Sequence, residues 1–224
     1  MCNCLFCSLL NIKMNIIFGD DCIMMNILYK VHNNIYVNMT NKCSCGCTFC
    51  LRQNRDTMED SESLWLDREP TVEEVKAEFS KWDVEKYDEI VFCGFGEPSI
   101  RLYDILEVAE FLKSKYNKPI RINTNGLANL YFEKDVTPLF KDKIDVVSIS
   151  LNTPNKEKYY ELTRNQFCEK GFDGMLDFAK KVKNYVSKVV LTTVETTLTK
   201  EEEQQCQKIC DDLGVTYRIR PWEE

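Results

Sequence analysis

A single histidine, His32, stands in a chain of 224 residues, so a metal centre that draws on imidazole has almost nothing to use. No apolar run approaches the ~20 residues that a membrane-spanning helix requires. Surplus positive charge is missing too: 29 Lys and Arg face 36 Asp and Glu, a net charge of -7. That balance helps solubility and argues against a surface built to hold phosphate backbones, so nucleic acid is not the expected partner. The local cluster of Lys113, Lys115, Lys118 and Arg121 reads as a solvated helix end running into a strand. The opening stretch, MCNCLFCSLLNIKMNIIFGDD, has no basic leader, is broken by Asn11 and Lys13, and offers no clear small-residue cleavage site. It does not read as a signal peptide, and the expected compartment is the cytoplasm.

What is present is ordinary globular material, 44% hydrophobic and 29% charged, in a length that suits one domain or at most two. From residue 34 onward, short β-branched or aromatic runs alternate with longer segments of helical period, the pattern of a parallel β/α architecture. The expected strands are 34 to 40, 89 to 95, 119 to 124, 145 to 151, 189 to 195 and 215 to 220. Helical stripes lie between them: Leu102, Ile105, Leu106, Ala109 and Leu112; Met175, Phe178, Ala179, Val182 and Val186; Cys206, Ile209, Cys210 and Leu213. Thr71 and Glu74 have capping-box spacing and open a helix expected to run to about Trp82, and Gly214 falls at a helix C-cap. Six strand–helix units are too few for a closed eight-stranded barrel, so the expected fold is α/β, a partial (β/α)6 TIM-like barrel of parallel strands. Residues 1 to 24 do not join the pattern and read as a disordered or spurious extension in which Cys2, Cys4 and Cys7 are incidental; residues 25 to 224 form the expected core domain.

In parallel β/α folds the chemistry gathers at the carboxyl ends of strands. After the first expected strand comes KCSCGCTFCLRQ (42 to 53); after the second, GFGEP (94 to 98); after the third, NTNG; at the end of the fourth, SLN. The first is the most informative. Three and two residues separate Cys43, Cys47 and Cys50, a spacing that can wrap three thiolates round one compact cluster, with Cys45 left out. Zinc would want a second chelating pair, and a Cys47/Cys50 redox pair leaves Cys43 unexplained. An iron-sulfur cluster with one open iron is the remaining reading.

The loop CSCGCTFC resembles the C-x3-C-x-aromatic-C motif of the radical S-adenosylmethionine superfamily, with Phe49 as the aromatic residue. The likeness covers residues 25 to 224, and YVNMTNKCSCGCTFCLRQ with LWLDREPTVEEV looks most like the small TatD-associated members. The resemblance implies that Cys43, Cys47 and Cys50 bind an oxygen-sensitive 4Fe-4S cluster whose open iron chelates S-adenosylmethionine. Reductive cleavage would then give methionine and a 5′-deoxyadenosyl radical that removes hydrogen from a substrate. By the same resemblance Phe49 shapes the adenine site, and Gly96 and Glu97 meet the methionine amino group, although Phe95 replaces the commoner glycine before Gly96. Thr124, Asn125, Ser150 and Asn152 are candidates for ribose or carboxylate contacts.

Glu195 ends the fifth expected strand, and alternation puts Arg218 and Arg220 on one side of the sixth; their roles stay open. Cys93, Cys168, Cys206 and Cys210 read as core or surface thiols. The expected function is a radical enzyme of unidentified substrate, served by a flavodoxin- or ferredoxin-type reductant. Its alternatives are activation of a glycyl-radical enzyme, deazaguanine-synthase-like chemistry, and, from another class, a non-catalytic iron-sulfur or zinc protein for electron transfer.

Overall fold

The computed structural model describes residues 25 to 221; the expectations for residues 1 to 24 lie outside them. Seven strands form one sheet in the order β1 to β7: β1 Leu28–Val31, β2 Asn34–Val37, β3 Ile90–Phe92, β4 Ile120–Thr124, β5 Val146–Ser150, β6 Lys188–Val194 and β7 Thr216–Arg220. The strands from β2 to β7 are parallel neighbours, and β7 does not pair back to β1. This is the expected open β/α barrel. The addition is β1, which pairs antiparallel with β2 through a turn at His32 and Asn33. Its four residues, LYKV, carry too short an alternation to stand out in the sequence.

Six α-helices connect or flank the strands: α1 Val72–Glu78, α2 Leu102–Lys115, α3 Ala128–Tyr131, α4 Lys156–Thr163, α5 Lys170–Val182 and α6 Lys200–Leu213. The Thr71 hydroxyl accepts from Glu74 N at 3.2 Å and the Glu74 carboxylate accepts from Thr71 N at 2.8 Å, so the expected capping box closes α1. That helix is shorter than expected and passes into a 3-10 turn at Phe79–Lys81 before Trp82. Thr199 and Glu202 cap α6 in the same way, and Gly214 ends it at φ 67°. α4 has no counterpart in the sequence reading because KEKYYELT is polar almost throughout.

The expected apolar stripes pack on one face of the sheet. Ile120, Ile122, Val147, Ile149, Val189 and Leu191 share a buried core with Ile105, Ala109, Met175, Phe178, Ala179 and Val182, each large side chain contributing roughly 1.5–3 kcal/mol. Strand alternation sends the intervening residues to the opposite face. By register that face carries Cys93, Arg121, Asn123, Ser148, Ser150, Thr192, Arg218 and Arg220.

Candidate functional site

The cysteine loop follows β2 and is fastened from three directions. Gly46 N donates to Thr163 O at 3.0 Å, Thr48 N to Leu162 O at 2.9 Å, and Gln166 N to Ser44 O at 2.9 Å, which docks the loop on the end of α4. Glu97 N donates to Lys42 O at 2.8 Å. From the loop's own far end, Arg52 Nη1 donates to Asn41 O at 2.9 Å and to Phe95 O at 3.3 Å. A loop of this kind needs such fastening because its peptide groups have no strand or helix partners.

Within it, Cys43, Cys47 and Cys50 are half-buried and Cys45 is buried. The Cys45 thiol hydrogen-bonds with the thiols of both Cys43 and Cys47, and these contacts, then burial, push it up. The same hydrogen bonds pull Cys43 and Cys47 down, while burial pushes Cys50 up. The Arg52 charge favours the thiolate at all three expected ligands. Cys45 therefore acts as proton-holding donor to its neighbours. Asn125 Nδ2 in turn donates to Cys45 Sγ at 3.4 Å and to Ser44 Oγ at 2.9 Å.

Among the described residues, no three Cys, His, Asp or Glu side chains are gathered as ligands of one metal ion. The donor set nonetheless fits a 4Fe-4S cluster, which takes its thiolates on separate irons. Two of the thiols are pulled toward the thiolate form and a fixed guanidinium stands beside all three. His32 is remote, in the β1–β2 turn, where Nδ1 meets Glu59 Oε1 at 3.0 Å.

GFGEP crosses directly over the loop. A Cβ at Gly96 would lie 2.2 Å from Thr40 O and 2.5 Å from Lys42 O, so only glycine lets the two chain segments touch. Glu97 is 5% exposed, yet its carboxylate accepts from Thr124 Oγ1 at 2.6 Å, Asn125 N at 2.7 Å and Ser99 N at 3.0 Å. Burial pushes its pKa up and those hydrogen bonds oppose the push. Glu97 thus ties the ends of β3 and β4 to the cysteine loop. The structure brings Gly96, Glu97, Thr124 and Asn125 into one network. It does not bring Ser150 and Asn152 into that network: Ser150 lies half-buried at the end of β5, and Asn152 turns at φ 64° with its N–H on Thr192 O at 3.2 Å. Phe49 is 40% exposed at the loop's rim.

Two residues at the site were not anticipated. Arg52 follows Cys50 by two positions, and a cation so near a thiol cluster was the available signal. Tyr159 gave no signal: it reaches the thiols only because α4 packs there. It is 1% exposed, rests edge-on against Phe172 with ring centroids 5.5 Å apart, and buries a hydroxyl without a hydrogen-bond partner. Burial, then the charges of Cys45 and Cys47, hold its pKa well up.

A family model described as the radical SAM superfamily matches residues 37 to 213. Among curated proteins, a probable GTP 3′,8-cyclase of Methanocaldococcus jannaschii is 25% identical over 83% of this chain and 57% of its own length. A GTP 3′,8-cyclase of Corynebacterium glutamicum is 30% identical over 60% of this chain and 35% of its own. The chain thus spans between about a third and three-fifths of these relatives. Among solved structures, Streptococcus suis SuiB bound to S-adenosylmethionine aligns with TM-score 0.61 at 16% identity, over 84% of this chain and 38% of that one. Methylornithine synthase aligns equally well, TM-score 0.61 at 16% identity, over 85% of this chain and 53% of that one. These likenesses show the fold.

Proposed function

The chain belongs to the radical SAM superfamily, and on that premise we propose that it abstracts a hydrogen atom from a substrate held beside the cysteine loop at the carboxyl ends of its strands. The family uses a 4Fe-4S cluster and S-adenosylmethionine. When bound, they supply a 5′-deoxyadenosyl radical, while the protein supplies binding, orientation and exclusion of water. Cys43, Cys47 and Cys50 would hold the cluster. The observation that carries this assignment is the thiol Cys45 hydrogen-bonded between Cys43 and Cys47, with Arg52 acting on all three expected ligands.

Glu97, Thr124 and Asn125 would fix the loop's height above the sheet, and Gly96 its closeness of approach. Phe49, exposed at the rim, offers a flat apolar surface for an adenine ring. Ser150 and Asn152, at the end of β5, offer hydroxyl and amide groups to a ribose or carboxylate. A flavodoxin- or ferredoxin-type reductant is required by the chemistry, and the likeness to small TatD-associated proteins points to a substrate of modest size. Among the described residues no helix is long and apolar enough to cross a membrane. GTP cyclisation, the activity in the relatives' names, would rest on a part of those proteins only, so the substrate is argued from this chain's own surface below.

The test is anaerobic reconstitution with iron and sulfide, followed by assay for 5′-deoxyadenosine. Cys43→Ala, Cys47→Ala and Cys50→Ala each lose cluster iron and the nucleoside; Cys45→Ala keeps iron. Loss of iron in Cys45→Ala equal to that in the other three would sink the ligand assignment. A stable cluster that neither binds nor cleaves S-adenosylmethionine would favour electron transfer.

A further inference from the structure

The inner layer of a β/α barrel is normally filled by branched apolar side chains. Here the face of the sheet away from the helix-packed core presents Arg121 and Asn123 from β4, Ser148 and Ser150 from β5, and Arg218 and Arg220 from β7, all on one side by register. No strand residue of that face is acidic. The nearest carboxylate, Glu89 just before β3, is taken by Arg121, whose Nε lies 3.1 Å and Nη2 2.5 Å from Glu89 Oε1. Arg121 Nη1 is held by Asn123 Oδ1 at 2.8 Å. The sheet also curls, because the charges of Arg121 and Arg220 both act on the Cys93 sulfur at the end of β3. β7 therefore looks across the cradle at β3.

A concentration of guanidinium groups inside a protein of net charge -7 runs against the molecule's own balance. It also adds desolvation cost unless a partner of opposite sign enters. We propose that this face is the substrate cradle and that it selects a small organic anion, whose carboxylate or phosphate is received by Arg218 and Arg220 while Ser148 and Ser150 face the rest of the molecule. Arg121, fixed by Glu89 and Asn123, forms the floor and sets the positive field. Arg218 is exposed and Arg220 half-buried, so one guanidinium meets the ligand at the open edge and the other draws it inward. Guanidinium forks match both oxyanions bidentately. The cradle lies next to the cysteine loop because Asn125, which reaches Cys45, follows β4 directly. The proposal rests on the radical reading for what happens to the anion, not for its binding.

The experiment is calorimetric titration of the cluster-loaded chain with inorganic phosphate and, separately, with succinate, at low ionic strength. The parent is compared with Arg218→Gln, Arg220→Gln, their double variant and the remote Lys200→Gln. Saturable binding of one anion is expected, weakened about tenfold or more in each arginine variant, unchanged in Lys200→Gln, with cluster iron retained throughout. Preference for phosphate or succinate identifies the oxyanion. The same titration on Cys50→Ala separates the two proposals: anion binding that persists there supports the cradle whether or not 5′-deoxyadenosine forms. Absence of saturable binding, or equal affinity in the double variant and the parent, would overturn the cradle and leave the radical reading standing.

Discussion

Glu97 holds a carboxylate where burial and hydrogen bonding pull in opposite directions, and the net push is upward. A raised folded pKa means that the native state holds this proton to higher pH than the unfolded chain does. Its contribution is therefore fully present below the ordinary glutamate range and is lost as pH rises through the raised value. Denaturant midpoints of the chain before cluster loading, measured from acid to neutral pH, should show the parent losing ground against Glu97→Gln as pH increases; a gap that widens in the parent's favour would contradict the assignment. Gly96→Ala acts differently, forcing a Cβ within 2.2 Å of the Thr40 carbonyl. It should cost about 1–3 kcal/mol and lower the iron-to-protein ratio, since the backbone beneath the cysteine loop must move. For Tyr159→Phe the expectation is the reverse. Removing a buried hydroxyl that lacks a partner should leave stability unchanged or raise it by up to about 1 kcal/mol, read from urea unfolding.

α4 is the element that makes the site, although nothing in its sequence announces it. Its last turn receives Gly46 N and Thr48 N, and its C-cap Arg164 adopts φ 45° so that the chain can turn back toward Ser44. Asn165 stabilises that reversal, giving Nδ2–H to Thr163 Oγ1 at 3.1 Å and accepting Phe167 N at 3.0 Å. Asn165→Ala leaves a buried N–H without its acceptor, a loss of about 1–3 kcal/mol. Because this turn clamps the cysteine loop, the variant should also bleach faster in air after reconstitution, followed by the visible absorbance of the cluster. Unaltered bleaching with lowered stability would show that the turn serves the fold alone. The helices whose period was legible, α2, α5 and α6, bury broad apolar stripes and were placed from sequence. α4 buries only Tyr159 and Thr163, too few for a period.

Across the whole molecule, stability should fall from the middle of the sheet to its last strand. β3 to β6 are covered by helices, whereas in β7 Thr216, Arg218 and Ile219 are exposed and only α6 packs against it. Native-state hydrogen exchange should find the amides of β4 and β5 slowest and those of β7 fastest among the parallel strands; uniform protection would mean that the open edge is not open in solution. The sequence by itself determined the parallel β/α class, six of the seven strands, the capping boxed start of α1 and the cysteine spacing. Each of these rests on neighbours within a few positions, through side-chain alternation, helical period or cap geometry. Tertiary structure alone decided that β1 joins the sheet, that Cys45 sits between Cys43 and Cys47, that α4 clamps the loop, and that Arg121 and Arg220 meet at Cys93. Those facts depend on how the sheet curls and on contacts between residues tens of positions apart, which local pattern does not encode.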